Sequence, residues 1–347
     1  TEGRGMGILD WFKHRAGHFD TDRVSEEMVR WAVDKAITLT NPRLKLLPNC
    51  HKRLAPSVET TIRFLQGLVK LLPAVRRMST ETWSADPALR AFFVSPSDMK
   101  DVLARADGLR TLFEKFPELD EAYLVLGMAF TEQRVFGLGL QGDMVQRDVA
   151  QMTVNFSDHK TRLCGPDEAV LRRVIGVEIF EYLISRALSE IGAERSERQE
   201  LQANRSLIRA RLRLLQQHGP GLGSMLGEAP AEASQQARLE AELLDNERQL
   251  ETMGGGEAAL EGELETLKAV FDKPQDYLSI EPRRIRLSSM NVVLDEMRAE
   301  SGAEVDFAVI ELKGALPQRR AFVIGRLART ELPPPKSMNY HDAMRYL

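Results

Sequence analysis

Apolar positions along the chain change period three times, and each change marks a different kind of element. From Met6 to about Lys115 the spacing is helical and broken by proline. Ile8, Leu9 and Phe12 share one face of a short helix with Trp11 at its margin, and Met28, Val29, Ala32, Val33, Ala36 and Ile37 form the stripe of a second. Val58, Ile62, Leu65, Val69 and Leu72 alternate spacings of four and three, which predicts another buried face. Asn41-Pro42 and Leu47-Pro48 break the chain, because a residue before proline is pushed out of the α region. Asp86-Pro87 and Ser95-Pro96 each read as a cap followed by a proline that opens a helix. The expectation is an N-terminal helical bundle over residues 6–118.

The period then falls to two. Tyr123 to Phe130 and Arg134 to Leu140 are apolar runs separated by Thr131-Glu132-Gln133, which predicts a hairpin. Met152, Val154 and Phe156 alternate with polar residues as a half-buried strand does, and Asp158-His159-Lys160 reads as a tight turn before Thr161 to Cys164. The same alternation resumes late in the chain, at Tyr277–Ile280, Ile285–Leu287, Val292–Leu294, Val305–Leu312 and Ala321–Leu327. Each group alone has too few strands to be stable. One antiparallel β domain, a sheet or open barrel, is therefore expected from residues 119–165 plus 275–330, with a tail at 331–347.

Between the two β segments the helical period is sustained. Val170, Val174, Val177, Glu181, Ile184, Leu188 and Ile191 keep four–three spacing and thin into Leu201, Ile208, Leu212 and Leu215. A Gly/Pro-rich break at 218–233 precedes a second seam of Leu239, Leu243, Asn246, Leu250, Met253, Glu257, Leu260, Leu264, Leu267 and Phe271, with Gly254-Gly255-Gly256 expected to kink or fray it. The first arm carries Arg195, Arg198, Arg205, Arg209, Arg211 and Arg213, and the second is rich in glutamate. Opposite charge selects a partner, so residues 166–273 are expected to fold as an antiparallel coiled-coil hairpin, with pairing across a dimer as the alternative. The fold class is thus α+β: a helical bundle, then an antiparallel β domain interrupted by the hairpin.

Composition narrows the class of protein. The 347 residues suggest two or three domains, and 43% hydrophobic residues exclude wholesale disorder. A net charge of −4 excludes a surface built throughout for nucleic acid or anionic membrane. Two cysteines, Cys50 and Cys164, exclude a disulfide framework or a cysteine zinc knuckle and read as buried or half-buried thiols. No apolar run is long enough to span a bilayer, and Thr1 to Gly5 look like an expression remnant before a start at Met6. A cytoplasmic location is expected.

Candidate chemistry is sparse. Gly137-Leu138-Gly139-Leu140-Gln141-Gly142 matches G-x-G-x-x-G, but no apolar helix follows it, so the glycines read as easing a strand bend and a turn. Asp10, His14, His18 and Asp22 are spaced four apart, as metal ligands on one helix face would be, whereas Gly17 and the polar context suit a frayed helix end; no metal and no cofactor is expected. His51 beside Cys50 and Asp158 beside His159 do not make dyads, because adjacent side chains diverge, and no catalytic motif is present. The arginine run lacks interleaved aromatics and is diluted by Glu194, Glu197 and Glu200, so nucleic acid is not the expected partner. Arg283-Arg284-Ile285-Arg286-Leu287-Ser288-Ser289 resembles the Arg-rich lead-in and Ser-containing strand of PilZ-type cyclic-dinucleotide receptors over those seven residues. That family's Asp/Asn-x-Ser-x-x-Gly element is missing, and an edge strand blunted by arginine accounts for the segment.

These observations lead to an expected non-enzymatic adaptor or scaffold acting through its hairpin on a protein partner or a second copy of itself. The docking candidates are Ile8, Leu9, Trp11 and Phe12 together with Arg205, Arg209 and Arg213. The basic flank of the N-terminal cluster (Lys13, His14, Arg15) also admits peripheral membrane contact. The alternative is a ligand-binding or enzymatic β domain with the helical parts as lid and dimerisation arm. A solid β core favours the first reading and a convergent pocket of buried charge the second.

Overall fold

The computed structural model describes residues 24–141, 144–218, 229–253, 256–294, 301–314 and 316–334. The chain forms two compact units, one comprising residues 63–180 and 275 onward, the other residues 24–62 and 181–274.

The first unit is built on one sheet. Its strands are β1 (Val75–Arg77), β2 (Glu121–Gln141), β3 (Met144–Gly165), β4 (Leu278–Leu287), β5 (Ala303–Leu312) and β6 (Gln318–Ala328), in the order β3-β2-β6-β5-β4. All of these neighbours are antiparallel; β1 adds a short parallel pairing with β6 at Val75–Ile324. The segment after β4 closes the path. Asn291 has φ 56°, a left-handed turn that asparagine tolerates. Beyond it Val293 N–H bonds to Met152 O at 2.8 Å and Leu294 N–H to Arg286 O at 2.8 Å, joining β4 to β3. The early and late β segments therefore form one body, a sheet closed into a barrel by this strap.

Two of the expected turns are absent. The polar triplet Thr131-Glu132-Gln133 lies inside β2, paired with Asn155, Val154 and Thr153, because alternation continues through it and an exposed ribbon tolerates polar pairs. Asp158-His159-Lys160 lies inside β3, where Asp158 takes φ 46° and the register slips by a bulge instead of reversing. Tyr277–Ile280 and Ile285–Leu287 are likewise parts of one strand running through Pro282. Gly137 and Gly139 sit in β2 at another register shift, as strand glycines easing a bend do.

Short helices α3 (Thr80–Ala85), α4 (Pro87–Phe92), α5 (Pro96–Ala104) and α6 (Asp107–Lys115) follow β1. Asp86 and Ser95 cap α4 and α5 by accepting from Ala88 N–H and Asp98 N–H, with proline at the first helical position. At six to nine residues each, α4 to α6 bury their apolar faces in the sheet's core, where Leu89, Phe92, Met99, Leu103, Leu109 and Phe113 share one cluster with Leu124, Val154, Phe307 and Val323, and Trp83 of α3 packs half-buried against it.

The second unit holds α1 (Glu26–Thr40), the start of α2 (Cys50–Lys70), the distal part of α7 (Glu168–His218), α8 (Ala229–Thr252) and α9 (Gly256–Asp272). The N-terminal helices are thus shared between the units. That division follows packing and differs from the boundaries that chain order suggested. Within α7 the buried face near the start is Leu171, Ile175, Leu183, Ile184, Ala187 and Ile191, so the expected seam is rotated and Leu188 is exposed. Apolar residues on neighbouring helical rows left both rows available, and packing chose between them.

Candidate functional site

The arms of the hairpin run antiparallel within the chain. Ile208 and Leu212 of α7 bury against Leu239 and Leu243 of α8. Arg209 bonds to Glu247 at 2.6 Å, Arg198 donates to the Met253 carbonyl at the end of α8, and Arg195 bonds to Glu263 of α9 at 2.7 Å. Glu263 is buried and also accepts from Asn41 at 2.6 Å, so its charge is compensated from two elements. Arg53 grips Glu261 with both terminal nitrogens and reaches Glu265 at 3.1 Å. Those hydrogen bonds hold the Glu261 carboxyl below its ordinary range, while for Glu265 the larger share comes from Lys268. The opposite charges of the two arms therefore meet as the sequence implied.

Each arm also carries a second apolar row. On α7, Ala203, Leu207, Ala210 and Leu214 repeat the spacing of Leu201, Arg205, Ile208 and Leu212 two residues later. Two residues rotate a helix by about 200°, which turns this row away from the seam. All four are exposed, Leu207 at 50% and Leu214 at 54%. On α8, Ala237, Ala241 and Leu244 stand two residues before Leu239, Leu243 and Asn246 and are exposed in the same way. Arg211 and Arg213 border the α7 row, and neither forms an ion pair among the described residues. Arg205 is half-buried in the seam register, and Arg209 is occupied by Glu247, so of the three arginines expected to dock a partner Arg213 is the one on the outer side. The outer row is legible in the sequence as apolar spacing in a second helical register, beside the more conspicuous arginine run.

The barrel interior is occupied. Phe130, Phe156 and Phe307 pack with centroids 5.2 to 5.6 Å apart, and Phe92 of α4 closes on Phe156 at 4.8 Å. Open concavities of mixed lining lie on this unit's surface. One of about 290 Å³ is lined by Arg90, Ser288, Ser289, Asn291 and Ser301; another of about 300 Å³ is lined by Arg76, Arg283, Arg284 and Asp306. In the second, Arg76 is consumed by both oxygens of Asp86 and Arg284 by Asp306. Arg283 and Arg284 stand on the part of β4 that precedes the strap, whereas Arg286 O accepts from Leu294 N–H and Ser288 N–H donates to Val292 O, so the arginine-rich heptapeptide is on an open edge only over its first residues.

The adjacent pairs diverge. Cys50 is buried, which pushes its thiol up, while His51 turns outward to Asp34 at 3.6 Å. Burial pushes the Cys164 thiol up to about 12. Asp158 is held by Arg320 and Lys160, and His159 stacks on Phe93 at 4.8 Å. Ile8, Leu9, Trp11 and Phe12, and with them Asp10, His14, His18 and Asp22, lie outside the described residues. Among the described residues no group of three side chains is placed to hold a metal ion, and no helix is long and apolar enough to cross a membrane. Compared with family models, with curated proteins and with solved structures, the chain matches none.

Proposed function

We infer that this protein is a non-enzymatic adaptor whose hairpin docks a partner protein along the outer row of α7. The observation that carries the reading is the exposed Ala203, Leu207, Ala210, Leu214 stripe, which has the spacing of a helix–helix seam and lies opposite the seam already used. Small residues alternate with leucine, so a second helix approaches closely, and Arg211 and Arg213 at the borders suit carboxylates. The partner element is an amphipathic helix with a narrow apolar face and acidic flanks. The aromatic filling of the barrel supports this reading over a ligand held inside the sheet.

The test is site-specific photo-crosslinking of the full chain in its native cells, with a benzoylphenylalanine at Leu207 or, as control, at Ile208. The Leu207 probe is expected to crosslink an acidic helical segment of another polypeptide, and the product to disappear with Arg211→Glu/Arg213→Glu. The Ile208 probe is expected to label α8 of its own chain. Crosslinks from Leu207 that ignore the charge reversal, or their absence while Ile208 labels normally, would overturn the reading.

A further inference from the structure

β2 outruns its neighbour on one side. β6 pairs with it from Glu121 to Met128, where the partner is Ala321, and the ladder stops there. Past a register shift between Gly127 and Ala129, β2 continues to Gln141 with β3 alone on its other edge. Among the described residues no strand pairs with the edge from Ala129 to Gly137, so its outward N–H and C=O groups form an open template. Thr131 to Phe136 are all exposed, Phe136 at 77%.

The sequence of that edge is a chemical mirror of itself. Around Gln133, Glu132 balances Arg134, Thr131 balances Val135, Phe130 balances Phe136 and Ala129 balances Gly137. A strand of this kind, paired antiparallel with an identical one about Gln133, sets each Glu132 opposite an Arg134 and each Phe130 opposite a Phe136. These are the cross-strand pairs that stabilise sheets. No register shift interrupts residues 129–137, so Phe130, Glu132, Arg134 and Phe136 share one face. Phe130 is half-buried on that face against Phe156 and Phe307, and a Phe136 arriving from a second copy extends the cluster. The part of β4 that precedes the strap shows the contrast: it carries Pro282, Arg283 and Arg284, which blunt it, whereas 129–137 has no proline and no lysine and one charge of each sign. Glu132 and Arg134 make no ion pair among the described residues.

We propose that two copies of this chain associate through the Ala129–Gly137 edges of their β2 strands, antiparallel about Gln133, joining the two sheets across a two-fold axis. The pairing is isologous and therefore closes at two copies. It does not rest on the docking role of the hairpin, which uses a different surface.

The experiment is sedimentation equilibrium of the full chain across a concentration series. The wild type is expected to be a dimer. Glu132→Arg and Arg134→Glu each place like charges opposite one another twice and are expected to weaken the dimer at least about ten-fold. The double variant E132R/R134E restores opposite charges and is expected to return the wild-type constant. Q133C sits on the axis and is expected to oxidise to a covalent dimer, since facing strand residues lie within disulfide reach. Circular dichroism controls for folding, and both charged side chains are exposed. A monomeric wild type, a dimer indifferent to either single reversal, or a double variant no better than the singles would overturn the proposal.

Discussion

The barrel and the distal hairpin both carry regular apolar patterns, yet they bury them to very different depths. In the barrel, Phe92, Phe130, Phe156 and Phe307 meet from four elements and each touches at least two of the others. Among the described residues of the hairpin beyond Arg198, the buried apolar ones are Ile208, Leu212 and Leu239, with Leu243 packed against them. A closed sheet with helices laid upon it surrounds its core, whereas two helices share one line of contact and leave their far sides in water. The lesson is that regularity of an apolar pattern does not measure burial. The seam that begins at Leu239 keeps its repeat through the thin core of the distal hairpin, and that thinness leaves an organised apolar surface open.

Truncating the same class of residue in each region is expected to give the largest effect and to separate them. Phe156→Ala removes a ring held between Phe92, Phe130 and Phe307 and is expected to cost about 3–5 kcal/mol. The barrel's melt should lose cooperativity. Ile208→Ala, equally buried, is expected to cost about 2 kcal/mol, because a two-helix seam collapses more readily around a gap. Chemical denaturation followed separately by β and helical circular-dichroism signals reads both. Equal costs would mean that the seam is as deep as the barrel.

The same contrast explains what could be read from sequence. Caps are local, so Asp86-Pro87 and Ser95-Pro96 fell where expected. The second seam is legible because Leu239, Asn246, Leu264, Leu267 and Phe271 bury one row, with Leu243 packed against it, and the second row of α8 is mostly alanine. The first seam was misplaced over Val170–Leu188, where two apolar rows compete and the choice belongs to tertiary packing. Thr131-Glu132-Gln133 has the polarity of a turn for a related reason: polarity marks a turn in a buried strand but says nothing where, as on β2 from Thr131 to Phe136, successive residues are exposed on both faces. Closure of the barrel through Asn291–Leu294 rests on pairing between residues far apart in sequence, which no local pattern encodes. The mirror about Gln133 is written in the chain, yet it gains meaning only because the pairing of β6 with β2 ends at Met128.

A smaller effect is expected inside the seam, and in the opposite direction. Asn246 is buried in the row that Leu239 and Leu243 begin, and neither its Nδ2 nor its Oδ1 has a partner among the described residues. A polar residue at such a position fixes register at a cost in stability. Asn246→Leu is therefore expected to stabilise the hairpin by about 1–3 kcal/mol, the desolvation penalty of an unsatisfied group. The thermal midpoint of the helical signal reads it. A loss of stability instead would show that the amide is satisfied by water, and that the hairpin is wetter than the barrel as well as thinner.

The smallest effect is a difference in pH window between the two units. His159 stacks on Phe93, and its Nε2 is buried without a partner among the described residues. Burial pushes its pKa below the ordinary 6.5, against the opposing pull of a hydrogen bond with the Phe92 backbone and the carboxylates of Asp158 and Asp98. The unfolded chain thus binds this proton more readily than the folded one. The contribution of neutral His159 is whole above the ordinary histidine value and is lost as the pH falls from there toward the folded value. In the second unit the corresponding groups are Glu261, lowered chiefly by Arg53, and Glu265, lowered chiefly by Lys268 and then Arg53, both from an ordinary 4.5. Their contribution is present above that value and is lost as acid protonates them below it, so the hairpin unit is expected to hold where the barrel has begun to weaken. Calorimetry between about pH 7.5 and 5 checks this, the range in which histidine titrates. His159→Gln should flatten the barrel's transition over that interval and leave the helical transition as it was. Arg53→Gln should do the reverse, acting only in more acid solution. A barrel melt equally steep in pH with and without His159 would assign that sensitivity to other groups.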